Sequence, residues 1–285
     1  TKFQGAVLAK SLTTNAGGST ELSADVTTTA AQSFGDALSL KNNIILSGTD
    51  ITLAQTVNSD GTARTLQVTG SGVTTFGGAV GGTAALASLT VDGDGTTLLN
   101  AGTVTTAGAQ SYTDAVTLDA DTALVTTNSS AGFTGTLNSS EALATAGTPA
   151  PATLSITAGT GDVTFGSIVG GAAYTATATN GALGAVTLVS ATNVGINAAF
   201  TAASLTQQAG AGSGTTTIGG ATTLTGALGF TGSALTVNAA VTAGGAVTVA
   251  NTGTFTTSAT GDITAAGAFS QTGAGTNSLA GDISL

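Results

Sequence analysis

The sequence predicts an all-β protein, a parallel β-helix (solenoid) whose short strands wind in coils of about 20 residues. Three observations lead to this fold class: a composition rich in strand-forming and turn-forming residues, short runs of alternating polarity, and self-similarity along the chain.

The composition favours strands joined by tight turns. Threonine supplies 60 and glycine 43 of the 285 residues, only 6% are charged, and the hydrophobic share is 41%. Thr and Val favour a pleated, half-buried surface, whereas Gly, Asn and Asp favour turns. The good helix formers Lys, Arg, Glu and Gln are scarce, and a mean hydropathy of +0.40 is too high for a disordered chain.

Short alternating runs provide the second observation. Segments such as "ALTVN", "AVTVA", "DITAA" and "DISL" are four or five residues long and are separated by turn residues. Such alternation is typical of strands with one buried face. Four phenylalanines are predicted to fill the interior and to stack along its axis: Phe76, Phe165, Phe255 and Phe269.

A phrase of Gly, Asp, an apolar residue and a hydroxyl residue recurs at intervals that suggest the coil length. It begins at Gly161, Gly261 and Gly281. We expect these glycines at corners that need positive φ or close backbone approach, and each following Asp to bond the turn backbone. The apolar residues of the phrase are predicted to point into the core: Val163, Ile263 and Ile283.

Longer segments also repeat. "TTTAAQSFGDALSL" (27–40) matches "VTTAGAQSYTDAVTL" (104–118), and "LQVTGSGVTTFGGAVGG" (66–82) matches "LSITAGTGDVTFGSIVGG" (154–171). The sequence therefore predicts one continuous solenoid over 1–285, divided into the super-repeats 27–103, 104–200 and 201–285. The second unit is longer, and an inserted loop is predicted at 139–152, which holds both prolines. About fourteen coils would follow from a uniform coil length.

A tandem array of β-sandwich domains of about 90 residues is the alternative architecture. The spacing of the longer repeats also suits it. The very short strands, the two prolines and the absence of Trp argue against it.

The repeats resemble those of large bacterial surface proteins, the filamentous-haemagglutinin-like and autotransporter-type adhesins. The resemblance rests on "AQSFGDALSL", "AQSYTDAVTL" and "VTTFGGAVGGTAALASLTV", and covers about residues 27–190. It implies a right-handed parallel β-helix, export across a Gram-negative envelope and an extracellular, cell-surface location. No N-terminal secretion domain or C-terminal membrane barrel of that family is recognised, so the chain is expected to be a piece of a longer protein.

The residue inventory argues against an enzyme. Without His or Cys the chain has no Ser-His-Asp triad, thiol nucleophile or His/Cys zinc site, and it lacks a P-loop and a G-x-G-x-x-G motif. The predicted catalytic, cofactor-binding and metal residues are none. The only Arg, Arg64, lies near Asp60 in a turn, where a solvated charge is favoured over a catalytic pair.

Charge and hydropathy exclude two kinds of partner. The net charge is −10, and all four basic residues lie in the first 64 positions, so nucleic acid is not expected as a partner. No apolar run reaches the length of a membrane span, so no membrane insertion is expected.

Two acidic pairs, Asp92–Asp94 and Asp119–Asp121, raise the question of calcium. Alternating Asp and Gly can present oxygen ligands, but the calcium nonapeptide pattern requires tandem copies and one approximate copy is present. An Asp-Gly turn is the favoured interpretation.

The predicted function is structural: a stiff rod that forms a segment or subunit of a surface fibre, with subunits associating head-to-tail. The alternative is an adhesin that binds glycans or proteins of a host or neighbouring cell, with the loop at 139–152 as the candidate site. A carbohydrate-active enzyme is the third, least favoured class, because it requires clustered carboxylates and aromatic platforms.

Overall fold

The structure, a computed structural model, describes residues 1–140, 150–171, 181–208 and 214–285. Within these ranges the chain is all-β and contains no helix. The inserted loop predicted at 139–152 falls mostly on 141–149, outside the described residues. That loop and the super-repeat boundaries stay predictions.

Thirty-six short strands follow one another, each of two to eight residues. In chain order they are β1 Lys2–Phe3, β2 Val7–Ala9, β3 Leu12–Thr14, β4 Ser19–Leu22, β5 Val26–Thr28, β6 Gln32–Phe34, β7 Ala37–Leu40, β8 Ile44–Gly48, β9 Ile51–Leu53, β10 Val57–Ser59, β11 Thr65–Gly70, β12 Val73–Phe76, β13 Ser88–Val91, β14 Thr96–Leu99, β15 Thr103–Thr106, β16 Gln110–Tyr112, β17 Ala115–Leu118 and β18 Thr122–Thr126. They continue as β19 Ala131–Phe133, β20 Leu137–Ser139, β21 Leu154–Thr157, β22 Val163–Phe165, β23 Leu183–Ser190, β24 Val194–Ile196, β25 Phe200–Gln207, β26 Thr215–Ile218, β27 Thr222–Leu224, β28 Leu228–Gly232, β29 Ala234–Val237, β30 Val241–Ala243, β31 Val247–Asn251, β32 Phe255–Thr257, β33 Ile263–Ala265, β34 Phe269–Gln271, β35 Asn277–Leu279 and β36 Ile283–Ser284.

The strands stack into three faces, and every pairing between the described strands is parallel. Face 2 is one sheet of 13 strands, from β2 to β35. Face 1 runs from β1 through β10 and β15 to β34, and face 3 runs from β3 through β20 and β27 to β36. Single-residue bridges carry faces 1 and 3 across interruptions: Val57–Val80–Val104 on face 1 and Leu137–Val169–Phe200 on face 3. The predicted parallel β-helix is therefore confirmed.

The register along face 2 gives the length of each turn. Most steps between equivalent inward residues take 19 to 23 residues, as in Val7 to Val26 and Val68 to Val91. Two successive steps are longer: Phe133 to Phe165 takes 32 residues and Phe165 to Ile196 takes 31. The prediction of about fourteen coils was too high, because these long turns leave 13 layers on face 2. At about 4.8 Å per step the rod is about 58 Å long.

Inward-facing residues form one continuous hydrophobic core. Its middle is an aromatic stack of Tyr112, Phe133, Phe165 and Phe200, with ring centroids 4.9 to 5.8 Å apart. Three of the four predicted fillers are buried, and the fourth, Phe269, is half-buried and stacks on Phe255 at 6.3 Å.

The Gly-Asp phrase occurs at two different corners of the triangular cross-section. Asp162 precedes a strand of face 2, whereas Asp262 and Asp282 precede strands of face 3 and lie one layer apart. The predicted inward direction is confirmed for the apolar residues that follow, since two are buried and Ile283 is half-buried against the core. None of the three glycines has positive φ; each lies against the backbone of another segment, such as Ser129 beside Gly161.

The longer sequence repeats correspond to equivalent local structures on different faces. From β6 to β16, and again from β11 to β21, the chain advances by eleven strand positions, counting Val80 as one. Each turn of the solenoid has three strand positions, one per face, so eleven positions are three full turns plus two positions. The second copy of each motif therefore lies on a neighbouring face. Gly81 and Gly170, each the next-to-last residue of its matched segment, have nearly equal φ values of 68° and 67°.

Candidate functional site

Side-chain oxygens at the corners connect one layer to the next. An Asp or Asn just before a strand accepts a hydrogen bond from the backbone N–H of the equivalent corner in the following layer, at 2.8 to 3.0 Å. The pairs are Asp25 with Ile45, Asn43 with Thr65, Asp50 with Val73, Asp121 with Thr153, Asp162 with Asn193, Asn193 with Thr215 and Asp262 with Asp282. Asp162 and Asp262 do accept a hydrogen bond from a turn backbone, but the donor belongs to the corner of the next layer. These carboxylates join layers, and the bond from Asp282 N to Asp262 accounts for the spacing of 20 residues between the last two copies of the phrase.

Two buried glutamines form a second type of connection between layers. Gln32 Nε2 donates to Val26 O in its own coil at 3.1 Å and to Ser47 O in the next coil at 2.7 Å. Gln110 Nε2 makes the equivalent bonds to Val104 O and Val125 O, both at 3.0 Å. Both residues come from the repeated "AQS" segment, so this segment encodes a buried amide bridge.

Replacing Gln110 by Leu should lower the free energy of unfolding by about 3 kcal/mol. The substitution keeps a similar volume but leaves two buried carbonyls without this donor, and the Tyr112 hydroxyl loses its acceptor, Gln110 Oε1. Urea unfolding followed by far-UV circular dichroism measures the change. Ser111→Ala, on the outward side of the same strand, is the control and should change stability by less than about 0.5 kcal/mol. A loss below about 1 kcal/mol for Gln110→Leu would contradict the bridge.

The outer surface of face 2 carries a row of small uncharged side chains. Nine consecutive layers contribute only Thr, Ser or Gly at the same position: Thr90, Ser111, Gly132, Thr164, Gly195, Thr217, Thr236, Thr256 and Ser278. Neighbouring members are about 4.8 Å apart. This row makes one side of the rod flat, neutral and periodic.

A groove of about 660 Å³ lies where several strands of face 2 end. Threonine, serine and glycine residues of five successive layers line it, together with two carboxylates: Thr28, Thr29, Ser47, Gly48, Thr49, Thr69, Ser71, Asp92, Gly93, Asp94 and Thr113. None of the described lining residues is aromatic or positively charged. The groove therefore offers hydroxyl and carboxylate groups to a ligand.

Asp92 is held in a defined orientation at this groove. Its carboxylate accepts hydrogen bonds from Gln67 Nε2 at 3.0 Å and from Thr69 Oγ1 at 2.9 Å. Asp94, two residues later, is exposed. The two carboxylates thus differ in exposure and bonding, and Asp92 provides an acceptor oriented by two hydrogen bonds.

The remaining charged candidates have structural partners. Arg64 Nε lies 3.1 Å from Asp60 Oδ1 in an exposed turn, and this hydrogen bond lowers the pKa of the Asp60 carboxyl. Asp121 bonds the next layer, whereas Asp119 is exposed. The described part of the chain holds no group of three or more His, Cys, Asp or Glu side chains placed to bind a metal ion. Over the same ranges there is no helix long and apolar enough to cross a membrane.

The outermost described layers leave part of the core uncovered. Leu279 faces inwards in register with Thr257, yet it is 46% exposed, whereas Thr257 is 2% exposed. β34, β35 and β36 each pair with one described neighbour, as do β1, β2 and β3 at the opposite end. Within the described residues, the outermost strand of each face is therefore paired on one side.

Comparisons of the chain with protein-family models, with curated proteins and with solved structures find no match. Its class accordingly rests on its own geometry, a parallel β-solenoid with turns of roughly 21 residues.

Proposed function

We propose that the chain is a structural rod, a segment or subunit of an extracellular fibre on a bacterial surface. The observation that carries this proposal is the continuity of three parallel faces around a single core through 13 layers. Backbone hydrogen bonds directed along the axis oppose stretching and bending, and the corner carboxylates and amide bridges add further bonds between layers.

The composition and the sequence resemblance support the surface assignment. The repeats resemble those of filamentous-haemagglutinin-like and autotransporter-type adhesins, whose β-helices extend from Gram-negative cells. Small neutral side chains make up the outer row of face 2, so two rods can approach closely along this row. The absence of Cys, Met and Trp removes the most oxidisable side chains.

Assembly is proposed to proceed head-to-tail, with the β34–β36 end of one rod against the β1–β3 end of the next. Within the described residues, the three outermost strands at each end are paired on one side, and a further layer would cover the inward-facing Leu279. A contact of this kind between unlike ends does not close and produces an open filament.

Electron microscopy at increasing protein concentration tests the proposal. Filaments with an axial repeat of about 4.8 Å are expected. Leu279→Pro is designed to stop filament growth. Ala280 N bonds Thr257 O of the preceding layer at 3.1 Å, so the N–H of Leu279 points the other way, towards the layer that would be added. Proline lacks this N–H and removes one hydrogen bond to the added layer. If the unchanged protein forms isolated rods of about 58 Å at every concentration, head-to-tail assembly is contradicted. The proposal that the chain is a segment of a longer stalk would still stand.

Glycan binding is the second candidate function, and the groove beside Asp92 is the observation that favours it. Its volume is within the usual range of ligand sites, and hydroxyl and carboxylate groups are suited to sugar hydroxyls. A panel of neutral oligosaccharides should include a ligand whose affinity falls about tenfold or more in Asp92→Ala and is unchanged in Thr164→Ala. Retention of all binding by Asp92→Ala would exclude the groove.

A further inference from the structure

Two buried aspartates occupy equivalent positions in the repeated segments but have different surroundings. Asp36 follows "AQSFG" and Asp114 follows "AQSYT", and each immediately precedes the next strand of the coil, β7 or β17. Their exposed fractions are 4% and 3%, so both carboxyl groups are removed from solvent. The two aspartates therefore allow the same sequence motif to be compared in two different environments within one chain.

The carboxylate of Asp36 has two donors in the preceding layer. Gly18 N donates to Oδ1 at 2.8 Å and Thr20 Oγ1 donates to Oδ2 at 3.1 Å. Hydrogen bonds to an ionised carboxylate offset much of the cost of burying it. Each carboxyl oxygen of Asp36 thus has a hydrogen-bond donor.

Asp114 lacks these partners. Neither of its oxygens accepts a hydrogen bond of normal geometry, although the Thr97 hydroxyl and the Gly93 N–H lie beside it. The hydroxyls of Thr97 and of Thr74, its register neighbour one layer earlier, are also buried without a partner. Four buried oxygen atoms in three successive layers therefore lack a hydrogen bond of normal geometry.

The charges around Asp114 increase the cost of ionisation. Burial raises the pKa of the Asp114 carboxyl most, and the negative charge of Asp92 raises it further; the nearby Thr97 hydroxyl and Gly93 N–H lower it by less, so the pKa stays raised. Asp92 and Asp94 lie on the turn between β13 and β14, and no described cation opposes them there. A proton on Asp114 would supply the missing donor to Thr97 Oγ1 and remove the repulsion.

We propose that Asp114 is a pH-sensitive connection between two layers: protonated, it donates to Thr97 and holds the corner closed, and ionised, it is an uncompensated buried charge that weakens the corner. The sign follows from linkage. A carboxyl whose folded-state pKa is raised binds its proton more tightly in the folded chain, so stability is gained as the pH falls towards the ordinary Asp value and lost as it rises. The corner should be strongest in acid.

The test is the pH dependence of unfolding for the wild type, Asp114→Asn and Asp36→Asn. Between about pH 4 and pH 8, the wild-type folding equilibrium constant should fall by up to about tenfold per pH unit in the window where Asp114 titrates. Asp114→Asn carries a permanent donor of the same shape, so it should abolish this fall and be more stable than the wild type at the upper end. Asp36→Asn should keep the fall and be less stable throughout, because its amide can accept only one of the two hydrogen bonds.

Carbon NMR of the Asp114 carboxyl in the wild-type protein provides a second readout that does not depend on a variant folding. A titration midpoint above that of an exposed Asp is expected. An ordinary midpoint, or an unchanged pH profile in Asp114→Asn, would overturn the proposal. A wild-type melting temperature that rises with millimolar calcium would also overturn it, since a cation would then neutralise these carboxylates.

Discussion

Replacing Phe165 by Ala should lower the free energy of unfolding by about 3–5 kcal/mol. The ring is fully buried and lies between Phe133 at 5.8 Å and Phe200 at 5.6 Å, so its removal leaves a cavity and ends two aromatic contacts. Phe165 also connects the two longest turns of the chain, of 32 and 31 residues. Each layer of a solenoid is stabilised mainly by its neighbours, so a cavity here also weakens the coupling between the two halves of the rod.

Urea unfolding followed by circular dichroism measures both effects. The transition should move to lower urea and become broader, because the layers before and after the cavity no longer unfold as one unit. Thr164→Ala, on the outward side of the same strand, should change stability by less than about 0.5 kcal/mol. A transition of unchanged width and a loss below about 1.5 kcal/mol would show that the aromatic stack does not couple the halves.

Local patterns in the sequence were sufficient to predict the fold class and many inward residues. Alternation alone identifies the inward direction of Val163 and Ile263, since a strand with one buried face has a period of two residues. The matched sequence segments are also structurally equivalent, as the glycines at 81 and 170 illustrate. These features depend on residues that are close to one another in the sequence, so the sequence alone is sufficient to predict them.

Features that depend on neighbours in the adjacent layer were missed. The partners of Asp162 and Asp262 lie 31 and 20 residues away, and the register that brings them together cannot be obtained from the turn itself. The stack was only partly predicted, because Tyr112, Phe133 and Phe200 share no common spacing with Phe165 once two turns are longer. The groove was missed for the same reason, since its lining residues come from five layers.

The number of faces also explains why the repeats have an irregular spacing in sequence. A motif that needs only a strand, a corner and a second strand can occupy any corner of a triangular coil. The second copies of "AQS" and of the "VTTFGG" type lie eleven strand positions after the first, on the neighbouring face. Each repeated motif therefore specifies the packing of one corner. The length of a coil is the sum of three such corners and the strands between them.

Replacing Gly161 by Ala should strongly destabilise the rod, although the substitution adds only one methyl group. A Cβ at this position would overlap the backbone of Ser129 in the preceding layer, and backbone atoms cannot rotate away as a side chain does. The layers would have to separate locally, against hydrogen bonds that fix their spacing at about 4.8 Å. We expect a loss of at least about 3 kcal/mol or failure to fold.

Gly132→Ala is the matched control for this substitution. It lies in the preceding layer of the same face, and a Cβ there meets no atom within 4 Å. Because Ala loses less backbone entropy than Gly on folding, Gly132→Ala should be neutral or stabilise the rod by about 0.5 kcal/mol. Equal effects in the two variants would contradict steric exclusion at Gly161. A large difference would show that the glycine of the Gly-Asp phrase is selected by the distance between layers and not by a positive φ angle.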